Sequence, residues 1–276
     1  MNLKTILKIS RPRFWLYLAG TYLVGYSFGA ENIYSLQNFS FIIHFLFFLI
    51  PANIFLYGIN DIYDEDTDQF NQKKGTYEHK LQMDEKKYLK IALLLMVFIA
   101  IAVTAFQKDT KVQILFILFF ALSYFYSSPP LRFKAKPLLD SAFNILYGIP
   151  GIIAYVQVTN TLPPLEILIA IFCWTFAMHL FSAIPDIQAD KKADLLTTAI
   201  LFGKRNSLLL CALLWTITSL VTINLTGSFI GFIAIIYPLI PIILIANEKI
   251  DLKKTYKIFP FINALVGFIL FLYAFA

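Results

Sequence analysis

"FSFIIHFLFFLIPANIFLYGINDIYDEDTDQF", Phe39 to Phe70, changes character abruptly. From Phe39 to Ile59 it contains no Asp, Glu, Lys or Arg, yet Asp61, Asp64, Glu65, Asp66 and Asp68 follow at once, five of the 17 acids in the chain. A helix of about 20 apolar residues crosses a bilayer core. Runs of that kind recur through all 276 residues, of which 59% are hydrophobic and 14% charged, and the mean hydropathy is +0.71. Backbone polar groups need partners in lipid, so spans are helices or closed barrels, and long unbroken runs select helices. The chain is read as an all-α polytopic membrane protein. Nine spans are expected near 14–30, 39–59, 88–106, 111–126, 138–157, 164–184, 207–226, 228–246 and 256–275. No Ser/Gly-rich linker or low-complexity tract divides them, so one membrane domain, 1–276, is expected.

The net charge of +6 does not make the chain a nucleic-acid binder, because its basic residues follow the spans. Of 23 Lys and Arg, all but Lys108 and Lys111 fall on one side of a nine-span topology. The positive-inside rule assigns that side to the cytoplasm. The basic-then-apolar beginning "MNLKTILKISRPRFWLYLAG" has no small-residue cleavage site after it and is read as an uncleaved first span. Cys173 and Cys211 lie inside spans, without metal-ligand or disulfide spacing, and are read as packing residues.

The acids form a second cluster in "AIPDIQADKKADLLTTAILFGK", Ala183 to Lys204. Asp186, Asp190 and Asp194 repeat the spacing of Asn60, Asp64 and Asp68, each offset from its counterpart by 126 residues, and both triplets follow an even-numbered span. If the helices extend beyond the spans, i, i+4, i+8 spacing keeps each triplet along one face, drifting about 40° per step. Two stripes of oxygen donors are then expected to face one another at the cytoplasmic mouth. Dense carboxylates near low dielectric need a compensating cation, and oxygen-only donors favour Mg²⁺ or Ca²⁺ over zinc. Asp64, Asp66 and Asp68 begin like an EF-hand loop, but Gln69 stands where that loop needs Gly and Gly75 where it needs Glu; Mg²⁺ remains. Asn60, Asp64, Asp68, Asp186, Asp190 and Asp194 are the expected metal donors, and Asp64, Asp68, Asp186 and Asp190 the expected catalytic acids.

Mg²⁺ usually completes its shell with water and substrate phosphates. Lys73, Lys74, Arg132, Lys134 and Lys191 lie in the adjoining loops and complete a pyrophosphate clamp, Arg by bidentate contact and Lys as a point charge. Taken singly, each of these cations is better explained by topology. Asn53, Tyr57, Tyr126, Asn144 and His179 are polar residues in or near spans that line a pocket or satisfy neighbouring helices. Two other classes fit the same pattern. A transporter would place its ion site near the bilayer midplane, and a non-catalytic membrane subunit would tolerate loss of the acids.

Asn60-x-x-x-Asp64-x-x-x-Asp68 with Asp186-x-x-x-Asp190, each after an even-numbered span, resembles the UbiA-type intramembrane prenyltransferases, and "TTAILFGK", Thr197 to Lys204, is similar to the stretch after that family's second motif. The resemblance covers essentially the whole chain. It implies a nine-helix bundle whose cytoplasmic-side cavity holds an allylic diphosphate through Mg²⁺ and the Asp residues, and transfer of the prenyl group to a hydrophobic acceptor. "SRPRFWLYLAG", "PANIFLYGINDIYDEDTD" and "AMHLFSAIPDIQAD" look most like the lycopene elongases of that superfamily, which implies a polyene acceptor and a dimethylallyl donor. Gln72 and Ala189 depart from the pattern, standing where Pro and Gly are expected, but neither is a ligand position. Aromatic acids of the quinone-precursor type, glyceryl lipids and haem are the alternative acceptors.

Overall fold

Pro51 divides the apolar stretch on which the sequence reading began. It has no N–H to donate and its ring opposes the preceding turn, so in the computed structural model the stretch forms two helices. These are α3 (Phe39–Leu49) and α4 (Pro51–Tyr63), with Ile50 between them at φ −122°, ψ −65°. Asn53 fastens the break by donating its amide to the carbonyls of Phe48 at 2.8 Å and Leu49 at 3.1 Å. The structure describes residues 3–64, 79, 81–227 and 229–276.

The other helices are α1 (Leu3–Ile9), α2 (Trp15–Gly29), α5 (Glu85–Ala105), α6 (Thr110–Phe125), α7 (Leu139–Ala142), α8 (Ile149–Thr159), α9 (Leu165–Ala183), α10 (Ile187–Lys192), α11 (Thr198–Thr226), α12 (Ile236–Ala246) and α13 (Leu252–Tyr273). No strand occurs among the described residues. Each of the nine expected segments contains helix, but length and composition vouch for six spans, or seven if the broken pair Leu139–Tyr147 and Ile149–Thr159 counts as one. The expected first and fourth spans are shorter helices, of 15 and 16 residues. The expected seventh span starts earlier than its apolar run, at Thr198, because the polar "GKRNS" stretch continues the helix past a break at Gly203 (φ 70°, ψ 171°).

The helices gather into two units. The first comprises Met1–Arg132 and Ile149–Leu162. Its core includes Ile9, Ile54, Phe55, Ile59, Leu89, Leu93 and Met96. Here α2 and α8 cross almost backbone to backbone: a Cβ on Gly25 would lie 2.0 Å from the carbonyl oxygen of Gly151. Small residues permit such approaches where burial of apolar surface gives helices in lipid no reason to associate. A polar chain adds to the fastening. Tyr22 Oη donates to Gln157 Oε1 at 2.8 Å, Gln157 Nε2 donates to Gln107 Oε1 at 2.9 Å, and Gln107 Nε2 lies 2.8 Å from His44 Nε2.

The second unit comprises Phe133–Gly148 and Pro163–Ala276. Trp215, Phe181, Phe259 and Tyr237 form its aromatic centre, with ring centroids 4.7 Å apart for Phe181 and Phe259 and 5.3 Å for Trp215 and Phe259. Long apolar side chains elsewhere point outward, among them Ile91, Leu94, Leu95, Phe98 and Ile101 on α5. A water-soluble surface does not present such a row, but a lipid-facing one does. The protein is an integral membrane protein.

Candidate active site

In the first unit the site is built on the end of α4. Asp64 caps this helix, its N–H bonded to the Asn60 carbonyl at 2.9 Å, and its side chain is buried. Asn60 Nδ2 donates to Asp64 Oδ2 at 2.6 Å and to Ser127 Oγ at 2.9 Å. Its Oδ1 accepts from Arg11 Nη2 at 3.2 Å, and the same Arg11 nitrogen donates to Asp61 Oδ1 at 3.1 Å. Side-chain exposure is 14% for Arg11 and 2% for Asp61. A buried carboxylate needs such a partner, so Asp61 is accounted for as an ion pair. The Arg11 guanidinium also lies 4.6 Å from the centroid of Tyr57, which occupies one face of that expected pocket residue. Arg11 adopts φ 50°, ψ 73° just before Pro12. Left-handed backbone costs a non-glycine residue about 1–2 kcal/mol, which these contacts offset. Sequence reasoning counted Arg11 as one more topological cation, and only its partners reveal the role.

Beside these groups, the Tyr63 and Tyr124 hydroxyls are 3.3 Å apart. Arg132 takes φ 40°, its N–H bonded to the Ser128 carbonyl at 2.9 Å. Tyr126 follows the last residue of α6 and is half-buried. Asp68, Lys73 and Lys74 lie outside the described residues.

In the second unit Pro185 loosens the end of α9 into the 3₁₀ turn Ile184–Asp186, and α10 follows. Asp186 and Asp190 are half-buried. Asp194 lies beyond the end of α10, exposed, at φ 53°. Lys191 is exposed. The expected stripe therefore does not run along one helical face: α10 stops at Lys192, and α4 likewise stops at Tyr63 before Asp64. Helix α10 ends two residues before Asp194, with Ala193 at φ −86°, ψ 6° and Asp194 in the left-handed region. Lys134 lies in the turn Phe133–Ala135 and is buried. Asn144, also buried, donates to the Asp140 carbonyl at 2.5 Å. His179 is half-buried on α9, its carbonyl accepting from Ser182 Oγ at 2.7 Å.

Residues 18–265 match the family described as the UbiA prenyltransferase family. The chain belongs to this family. It is a prenyltransferase embedded in the membrane. It is 38% identical over 261 residues to a lycopene elongase/hydratase of Halobacterium salinarum, covering 95% of this chain and 93% of the relative. Another lycopene elongase/hydratase, of Haloarcula japonica, is 37% identical over 270 residues, 98% of this chain and 90% of the relative. A UbiA homologue of Archaeoglobus fulgidus, solved bound to DMAPP and Mg²⁺, superposes with a TM-score of 0.76 at 24% identity, over 98% of this chain and 99% of that one. The fold is that of the intramembrane prenyltransferases.

A divalent cation is the group this family membership brings into question, and the donor chemistry suits it. Each unit taken by itself offers oxygen, the ligand of hard cations: Asn60 and Asp64 in the first, Asp186 and Asp190 in the second. Among the described residues no three His, Cys, Asp or Glu side chains gather at one point. Mg²⁺ asks for only one or two carboxylates, with water and phosphate oxygens completing its octahedron.

Proposed function

We propose that this UbiA-family enzyme transfers a short prenyl group, dimethylallyl, from its diphosphate to the end of a long polyene such as lycopene, with Mg²⁺ at the acidic motifs. The observation that carries the acceptor is the likeness to lycopene elongase/hydratases, 37–38% identical over at least 95% of this chain. The acid-motif assignment rests on buried Asp64 and half-buried Asp186 and Asp190 at helix ends.

In this reading Asp64, Asp68, Asp186 and Asp190 hold Mg²⁺, and Asn60, bonded to Asp64 Oδ2, orients that carboxylate. The exposed Asp194 contributes through water. When bound, Mg²⁺ neutralises charge on the departing pyrophosphate. Lys73, Lys74, Arg132, Lys134 and Lys191 supply cationic donors to the same oxygens, which favours charge as it develops in the transition state. The allylic C–O bond breaks, pyrophosphate leaves with the electron pair, and the allylic cation is captured by an electron-rich acceptor carbon. Apolar surroundings keep water from the cation until the acceptor has attacked. The active-site side is the cytoplasmic one, and 1–276 works as one catalytic domain.

Expression in a lycopene-producing bacterium tests the reading. A pigment heavier by one or two five-carbon units, lost on Asp64→Ala, is the expected result. An unchanged pigment from membranes that prenylate an aromatic acid would refute the polyene acceptor and leave the prenyltransferase.

A further inference from the structure

The donor assignment leaves "TTAILFGK" without a task, and it leaves unused a carboxylate, the only charged residue in the expected fifth span 138–157. Asp140 is fully buried in the second unit. Its Oδ2 accepts the Thr198 N–H at 2.8 Å, and its Oδ1 accepts the Ser141 N–H at 2.8 Å and the Thr198 hydroxyl. Thr198 Oγ1 in turn accepts the Leu138 N–H at 2.6 Å. Thr198 is the first residue of α11, whose preceding Thr197 caps the Ile200 N–H at 3.4 Å. A carboxylate at a helix N-terminus satisfies orphan N–H groups and meets the positive end of the helix dipole.

What this staple joins makes it more than a cap. On one side is the turn that carries Lys134. Lys136 N–H bonds the Phe133 carbonyl at 3.0 Å, Asp140 N–H bonds the Lys136 carbonyl at 2.9 Å, and the Phe133 and Phe143 ring centroids are 3.9 Å apart. Leu138 is held at φ 69°, a conformation leucine rarely adopts, by its bond to Thr198. On the other side, the chain runs from Asp186 and Asp190 through Asp194 directly into Thr197 and Thr198. We infer that Asp140 is a positioning residue: through Thr198 it fixes the Lys134 turn to the exit of the second acidic motif, and so sets affinity for the diphosphate. The inference rests on the reading of Lys134 as a diphosphate ligand. Asp140 has no call to touch substrate. Its carboxylate matters because a carboxamide would turn an N–H₂ toward the Thr198 N–H or, flipped, toward the Ser141 N–H, and neither donor would then have an acceptor there.

The test uses the full chain in nanodiscs with Mg²⁺. Inorganic pyrophosphate binding is measured by calorimetry, with KM and kcat for dimethylallyl diphosphate and thermal stability alongside. A displacement near 1 Å costs as much as 10²-fold. Asp140→Asn and Thr198→Val are therefore expected to weaken pyrophosphate and raise KM by about tenfold or more, with kcat little changed. Thr198→Ser, which keeps the hydroxyl, is expected to bind like the parent. In a Lys134→Ala background Asp140→Asn is expected to add nothing, since contacts that work as one unit are not additive. A lowered melting temperature with unchanged pyrophosphate affinity and KM would make Asp140 purely structural and overturn the inference. So would an undiminished Asp140→Asn effect in the Lys134→Ala background. Unaltered pyrophosphate binding in Lys134→Ala alone would refute the ligand reading of Lys134, a result distinct from the other two, and the inference with it. Should Asp140→Asn fail to fold, Thr198→Val against Thr198→Ser decides between the same outcomes.

Discussion

Arg11→Met removes the partner of a carboxylate that has almost no access to water. Asp61 is 2% exposed in its side chain, Arg11 14%, and one guanidinium nitrogen serves Asp61 at 3.1 Å and Asn60 at 3.2 Å. Breaking one half of a buried ion pair costs about 3–5 kcal/mol, mostly the penalty of leaving the other charge uncompensated. The lower end of that range is about 3 kcal/mol; loss of the Tyr57 contact adds about 0.5–1 kcal/mol. Asp61→Leu alone strands the guanidinium, but that side chain reaches water more readily and the cost is smaller. Replacing both partners with apolar residues removes both desolvation penalties, so Arg11→Met/Asp61→Leu is expected within about 1 kcal/mol of the parent. The assay is SDS-induced unfolding in dodecylmaltoside micelles, followed by tryptophan fluorescence, for the four proteins of the cycle. A coupling energy of at least about 3 kcal/mol is expected. Additive singles, coupled by less than about 0.5 kcal/mol, would mean that Asp61 is solvated or neutral in the membrane protein, and the pairing argument would fall.

Asp64→Ala, Asp186→Ala and Asp190→Ala should each lower turnover by about 10²–10³-fold while leaving the unfolding midpoint unchanged, as loss of a group that stabilises developing charge does; turnover of the parent should vanish with a chelator and return with Mg²⁺. Asp194→Ala should cost less than tenfold, because the residue is exposed and lies beyond its helix, and a loss equal to that of Asp190→Ala would show that the exposed position misleads. Gly25→Ala should destabilise by about 1–3 kcal/mol, since its Cβ would lie 2.0 Å from the Gly151 carbonyl oxygen; an unchanged midpoint would show that α2 and α8 can separate freely. Cysteines placed at 135 and 192 should react with an impermeant maleimide only from the cytoplasmic side and one at 160 only from the opposite side, and labelling of 135 and 192 from different faces would break the assignment of the second acid motif and the Lys134 turn to one side.

The all-helical membrane class was legible in the sequence because both of its signals are local. Lipid forbids unpaired backbone groups, so an apolar run of the right length has few alternatives to a helix, and the distribution of Lys and Arg around such runs reports orientation. The two acid motifs were legible for a related reason, since each lies within one short segment directly after a span. Spacing alone overstated their regularity. It cannot register that a helix ends at Tyr63 or at Lys192, which depends on competing backbone conformations and the turn that follows.

What the tertiary structure decided are the partners that lie far apart in the chain. Arg11 and Asp61 are 50 residues apart, Asn60 and Ser127 are 67 apart, and Asp140 and Thr198 are 58 apart. Nothing in the pattern around Arg11 separates it from the other cations that flank the spans, and Asp140 stood out only as a charge in an apolar run. Hydropathy and periodicity describe what a segment does with its own neighbours and with lipid. Whether a buried charge is satisfied, and which loop it holds in place as a result, depends on contacts that exist only once the chain has folded, because the energy of a buried carboxylate is set by the few donors within about 3 Å of it.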